Sequence, residues 1–133
     1  MVFANRTQKL VSYLKQPEAI TFSVGAESAD AIEVTISAMA DFDGNSITEL
    51  TPMLIWLSSA AGGAAATTAD AIAFDGTNSA NITVTAAVGG GMAILKTGAV
   101  FTVTEAGGDV DYYLNVANMH GEVFSSAILD FSA

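Results

Sequence analysis

Residues 32–38 read Ile-Glu-Val-Thr-Ile-Ser-Ala, an alternation of apolar and polar side chains with a period of two. Successive side chains of a β-strand point to opposite faces, so this pattern predicts a strand with one buried and one solvated face. The segment Asp41-Phe42-Asp43-Gly44-Asn45 follows, and its Asp, Asn and Gly residues are typical of a turn. Residues 32–45 therefore predict a strand that ends in an acidic turn.

Further strands follow on either side of this one. The continuous apolar run Met53–Leu57 predicts a central strand that is buried on both faces. Near the end of the chain, Val110–Val116 predicts a strand, Asn118–Gly121 a turn and Glu122–Phe131 a returning strand. With the remaining short alternating segments, the count comes to about eight strands. Such spacing predicts an all-β fold, an antiparallel β-sandwich.

The chain of 133 residues has the size of one domain. We divide it into an N-terminal basic arm, residues 1–17, and a β-sandwich domain, residues 18–133. Cysteine is absent, which excludes a disulfide framework and thiol chemistry. Residues 1–15 lack the apolar core of a secretory signal, and we expect no membrane-spanning segment, because every apolar run is short.

Charge is segregated along the sequence. Arg6, Lys9 and Lys15 are three of the four basic residues, whereas all 14 acids and Lys96 follow residue 15. An acidic body repels phosphate backbones and anionic lipid surfaces. We therefore expect neither nucleic acid nor a membrane as a partner.

The arm has the composition of a contact segment. Phe3, Leu10 and Leu14 fall near one face at helical spacing, with the basic residues elsewhere. A short amphipathic helix and an arm that orders only against a partner both fit this pattern. The residues predicted to bind a partner are Phe3, Arg6, Lys9, Leu10, Leu14 and Lys15.

Little in the sequence indicates catalysis. His120 is the only histidine, and it falls in a predicted turn, whereas a nucleophilic triad needs a histidine held beside a serine and a carboxylate. The acids alternate on outer strand faces or lie in turns, which favours a role in solubility over an acid/base pair. We expect a protein that is not an enzyme, with no cofactor and no catalytic residues.

The acidic turn also bears on metal binding. An EF-hand needs glycine at position six and glutamate at position twelve, but counting from Asp41 the glycine comes at position four and Pro52 stands at position twelve. This favours a simple Asx-type turn. A weak calcium site made of Asp41, Asp43 and Glu105 or Asp109 stays open as an alternative; otherwise no metal site is expected.

Aromatic residues are the remaining specific feature. Trp56 lies in the apolar run, and we predict that it and Tyr113 are core anchors of the sandwich. Because neighbours on a strand alternate faces, only one of Tyr112 and Tyr113 points inward. The alternative for these aromatic residues is an outward binding platform.

Several stretches resemble immunoglobulin-like β-sandwich domains. Val34-Thr35-Ile36 followed by Asp41–Asn45 is similar to their second strand and its turn, Trp56 to their third-strand tryptophan, and Tyr113–Asn118 with Gly121 to their last hairpin. The chain from about residue 19 onward also resembles small virion proteins of tailed bacteriophages. That resemblance is carried by Val24-Gly25-Ala26-Glu27, an Asp-Gly turn, Trp56-Leu57-Ser58, Thr104–Gly107 and Tyr113-Leu114.

This resemblance implies a head decoration, cement or fibre-base protein, often trimeric. We expect a non-enzymatic structural protein on the virion, at the capsid surface, whose arm binds the major capsid protein or another virion protein while copies associate as a homo-oligomer. The alternative is a tail-fibre or adhesin-type module that recognises carbohydrate or a host surface. Copy number separates the two, because a cement protein covers the shell and a fibre module does not.

Overall fold

The computed structural model describes residues 16–65, 71–74, 79–85 and 90–132. In these residues every regular element is a β-strand, and the strands form two antiparallel sheets. The predicted all-β sandwich is confirmed, with ten strands rather than about eight; its immunoglobulin-like detail stays a prediction. The strands are β1 Ala19–Val24, β2 Ala31–Ala40, β3 Thr51–Ser58, β4 Ala71–Phe74, β5 Ser79–Thr85, β6 Gly90–Leu95, β7 Val100–Thr104, β8 Val110–Ala117, β9 Val123–Ser125 and β10 Leu129–Phe131.

Sheet 1 has the strand order β1-β2-β7-β4 and sheet 2 the order β10-β8-β3-β6-β5. The predicted returning strand is two short strands, β9 and β10, and both pair with β8. One end of the sandwich, called here the lower end, carries the loop from β2 to β3, the turn at residues 96–98 and the turn at residues 118–122. The arm joins the domain at this end, because Ala19 pairs with Ala40 at the end of β2.

The core lies between the two sheets and follows the predicted alternation. Most of its inward residues come from β2, β3, β7, β8 and β10 and are at most 2% exposed, and Ile72 of β4 and Leu95 of β6 join them. Burying apolar surface is the main term that stabilises such a domain. The central members are Ile32, Val34, Ile36, Met53, Ile55, Leu57, Phe101, Val103, Tyr112, Leu114, Val116, Leu129 and Phe131.

Three predictions about buried residues were wrong. Strand β3 is central but buried on one face only, since Leu54 is 44% exposed between the buried Met53 and Ile55. Trp56 shares the outward face with Leu54 and is half-buried, so it is not a core anchor. Of the tyrosine pair, Tyr112 points inward and Tyr113 lies half-buried on the outer face. Strand phase explains all three, because an apolar run obeys the same alternation as any other strand.

Candidate functional site

The arm residues predicted to bind a partner (Phe3, Arg6, Lys9, Leu10, Leu14 and Lys15) lie outside the described residues. The last two residues of the arm, Gln16 and Pro17, are held by hydrogen bonds to the turn at residues 118–122. Asn118, 2% exposed, donates from Nδ2 to the carbonyl oxygen of Pro17 at 2.8 Å. The backbone N–H of Met119 donates to Oε1 of Gln16 at 3.0 Å. The turn at residues 118–122 therefore holds the root of the arm against the sandwich.

Asn118 also builds the turn that it anchors. Its Oδ1 accepts hydrogen bonds from the backbone N–H groups of His120 and Glu122, both at 3.0 Å. Gly121 adopts a positive φ of 85°, a conformation that glycine adopts without steric cost. The predicted turn at Asn118–Gly121 is confirmed. One buried side chain thus couples the hairpin geometry to the position of the arm.

A small charged cluster lies beside this root. His120 is exposed, with Nδ1 3.6 Å from Oε1 of Glu18. A hydrogen bond with Glu18 raises the pKa of Glu122, and desolvation and the negative charge of Glu18 raise it further, while His120 lowers it. Glu18 and Glu122 are close enough for their negative charges to repel each other, and a positive charge nearby would relieve that repulsion.

The outer face of sheet 2 is apolar near the lower end. Register places Met92, Leu54, Ala117 and Val123 in one row across β6, β3, β8 and β9, with Ile94 and Pro52 in the next row. Leu54 and Val123 are 44% and 45% exposed. These six residues are called the apolar face below.

The outer face of sheet 1 has a different chemistry. Exposed or half-buried positions there carry small and polar side chains, such as Thr21, Ser23, Glu33, Ser37 and Thr102. An antiparallel sheet with one solvated side normally presents such residues outward. The apolar face, exposed at Leu54 and Val123 on either side of the buried Ala117, differs from this pattern, and exposed apolar surface is typical of an interaction site.

Above the apolar face, the loop at residues 59–65 folds over sheet 2 and is held by side chains. Trp56 donates from Nε1 to the carbonyl oxygen of Gly63 at 2.8 Å. Asn115, fully buried, accepts from the N–H of Gly62 and from Oγ of Ser125, and donates to Oγ of Ser58 at 2.8 Å. Trp56 thus has a structural role outside the core, and the apolar face ends where this loop begins.

An open groove of about 330 Å³ lies at the lower end. It is lined by Gln16, Asp41 and the segment from Asn45 to Pro52. Phe42, in the acidic turn next to Asp41, is 67% exposed. The groove combines hydroxyl, amide and carboxylate groups with an aromatic side chain on the adjacent turn.

The proposed calcium residues are kept apart by the fold. Oδ1 of Asp41 accepts the N–H groups of Asp43 and Asn45, each at 3.0 Å, which confirms the Asx-type turn. Glu105 lies at the opposite end of β2, where its N–H donates to Asp30; ten strand residues separate the two ends by about 30 Å. Among the residues that the structure describes, no three His, Cys, Asp or Glu side chains are grouped to hold a metal. The calcium alternative was wrong.

The acids of the segments Val24–Glu27 and Thr104–Gly107 have structural partners. Glu105, 5% exposed, accepts from the Tyr112 hydroxyl at 2.9 Å and from the N–H of Gly107 at 2.7 Å. Glu27 accepts from the N–H of Ser132 at 3.0 Å. Throughout the described ranges, every buried side-chain nitrogen or oxygen has a hydrogen-bond partner. These acids therefore close loops rather than form a reactive site.

No known family model, curated protein or solved structure matches the chain. The described part of the chain contains no helix of the length and hydropathy needed to cross a membrane.

Sequence reasoning missed the apolar face and the Asn115 network. The apolar face could have been predicted, because Met92 and Ile94 alternate along β6 with the buried Ala93 and Leu95, and Leu54 alternates along β3 with buried residues. The network was not, since Gly62 and Ser58 lie 53 and 57 residues before Asn115 in the sequence.

Proposed function

We propose that this chain is a non-enzymatic structural protein of a phage virion, which decorates or cements the capsid exterior through its N-terminal arm and subunit-subunit contacts. The observation that supports it best is the apolar face of sheet 2 beside the anchored root of the arm. The two proposed contact elements, the arm and the apolar face, thus meet at the lower end of the domain. The buried acid Glu105 closes a loop, which leaves it in a structural role.

The charge distribution supports the same proposal. Residues 16–133 hold Lys96 against 14 acids, a formal charge of −13, whereas the arm is basic. An acidic body stays soluble on the outside of a particle, while a basic arm binds an acidic shell. The partner in this proposal is the major capsid protein or another virion protein, with a homo-oligomer, favoured as a trimer, on the capsid surface. Many identical weak contacts on a lattice then add by avidity.

The arm is tested by loading the protein onto bare particles. We expect the full chain to co-sediment with them and a variant that lacks residues 1–15 to remain in the supernatant. Lys96→Gln is the matched control, since it removes the one cation outside the arm and should load normally. Full loading of the truncated chain would refute the arm assignment.

The second candidate function is a tail-fibre or adhesin-type module that recognises carbohydrate. The exposed Phe42 beside the groove at the lower end favours it, because an aromatic face next to polar groups is suited to a sugar ring. Binding on a glycan array that is lost in Phe42→Ala but kept in Ile128→Ala, an exposed apolar control outside the groove, would favour this candidate over the first.

A further inference from the structure

We propose that the apolar face of sheet 2 is the docking site for residues 1–15 of a second copy of this chain. The inference rests on the proposed function and specifies its subunit-subunit contact. It follows from the size of the face, the charges around it and the position of the arm's root at residues 16 and 17.

Size argues against packing of one sandwich directly on another. Six positions in two outward rows, with strands about 4.8 Å apart and rows about 6.8 Å apart, give the face roughly 200 Å² in projection. A stable protein–protein interface buries about 800 Å² on each partner. A 15-residue helix about 22 Å long and about 10 Å wide covers a face of this size.

Charge points to the same occupant. Glu49 precedes the face at its β3 side and Glu122 precedes Val123 at its β9 side, and both are exposed. Two bodies of this acidity repel one another when their rims meet. Residues 1–15 are the segment of this sequence with a net positive charge, and Phe3, Leu10 and Leu14 supply apolar side chains at helical spacing.

Chain direction favours a second copy over the arm's own domain. Strand β1 starts at the lower end, so residues 16–18, which precede it, lie at that end of the sandwich. Pro17 disfavours a helical Gln16 and keeps it extended, and Gln16 is tied to the turn at Met119. An arm that covered its own face would have to reverse direction within a few residues, whereas the arm of a neighbouring copy meets no such constraint.

Disulfide trapping tests the contact directly, because the full chain contains no native cysteine. The double variant Leu10→Cys with Val123→Cys joins the arm to the apolar face. Leu10→Cys with Ser23→Cys is the matched control, since Ser23 is exposed on the outer face of sheet 1. After mild oxidation, we expect disulfide-linked species at multiples of the 13.6 kDa chain mass, several-fold more abundant than in the control.

Two results would overturn the proposal. Crosslinks only within single chains would show that the arm covers its own domain, and crosslinking no greater than in the control would show that the arm does not bind this face.

Sedimentation velocity provides an independent readout. Leu54→Asp should weaken self-association at least about tenfold, the effect of losing a central apolar contact. Ser23→Asp, which adds the same charge to sheet 1, should leave it unchanged; equal effects of both changes would contradict the assignment.

The particle assay separates this inference from the proposed function. If the intermolecular crosslinks form and the full chain does not load onto particles, the interface stands and the virion role fails. If the chain loads and no intermolecular crosslink forms, the virion role stands and the interface fails.

Discussion

Replacement of Asn115 by alanine should release the loop at residues 59–65 and destabilise the domain. The side chain is fully buried and makes three short hydrogen bonds, to the N–H of Gly62 at 2.9 Å, to Ser125 at 2.7 Å and to Ser58 at 2.8 Å. Each bond contributes about 1 kcal/mol net, so Asn115→Ala should cost about 3 kcal/mol of unfolding free energy. For a domain of this size, that lowers the melting temperature by about 10 °C.

Two measurements check this prediction. Urea unfolding gives the free energy, with Ser125→Ala as a control that removes one of the three bonds and should cost about 1 kcal/mol. Fluorescence reports the loop, because the single tryptophan, Trp56, donates to the carbonyl oxygen of Gly63 and should emit at longer wavelength once the loop is released. A loss below about 0.5 kcal/mol, typical of a plain surface substitution, would refute the reasoning.

Three further predictions concern acids and their partners. Tyr112→Phe removes the hydroxyl that donates to buried Glu105 and should cost about 2 kcal/mol in urea unfolding, because a buried acceptor loses its partner; an unchanged midpoint would contradict the pairing. Glu122→Gln should raise the melting temperature at pH 7 and not at pH 4. Glu18 raises the pKa of Glu122, so the stability that this carboxyl contributes is present at low pH and lost as the pH rises through its folded pKa; equal melting at both pH values would disprove it. Asp41→Ala removes the acceptor of two turn N–H groups and should cost about 1–2 kcal/mol, with no dependence on added calcium, as calorimetry would show.

The class of fold could be predicted from local patterns. The alternation in residues 32–38, the turn at Asp41–Asn45 and the hairpin at Asn118–Gly121 each depend on near neighbours, and all three are confirmed. The period of two is a direct consequence of strand geometry, so it is visible in a single sequence.

The wrong predictions concern which face of a strand is buried and which residues the fold brings together or keeps apart. The apolar run around Trp56 hid the alternation, because apolar residues occupy both faces of β3, and the sequence does not distinguish a doubly buried strand from one with an apolar outer face. For the same reason the sequence did not show that Tyr112, and not Tyr113, is the tyrosine that points into the core. The calcium alternative failed because the sequence does not show that Asp41 and Glu105 lie at opposite ends of one sheet.

The virion role, the arm as its docking element and the self-association remain proposals. Quantitative mass spectrometry of purified phage particles tests the virion role, on which the other two depend, by counting copies of this chain per particle. A cement protein should be present in numbers that match the repeating surface positions of the shell. Absence from the particle, or a count that matches only the fibres, would contradict the account.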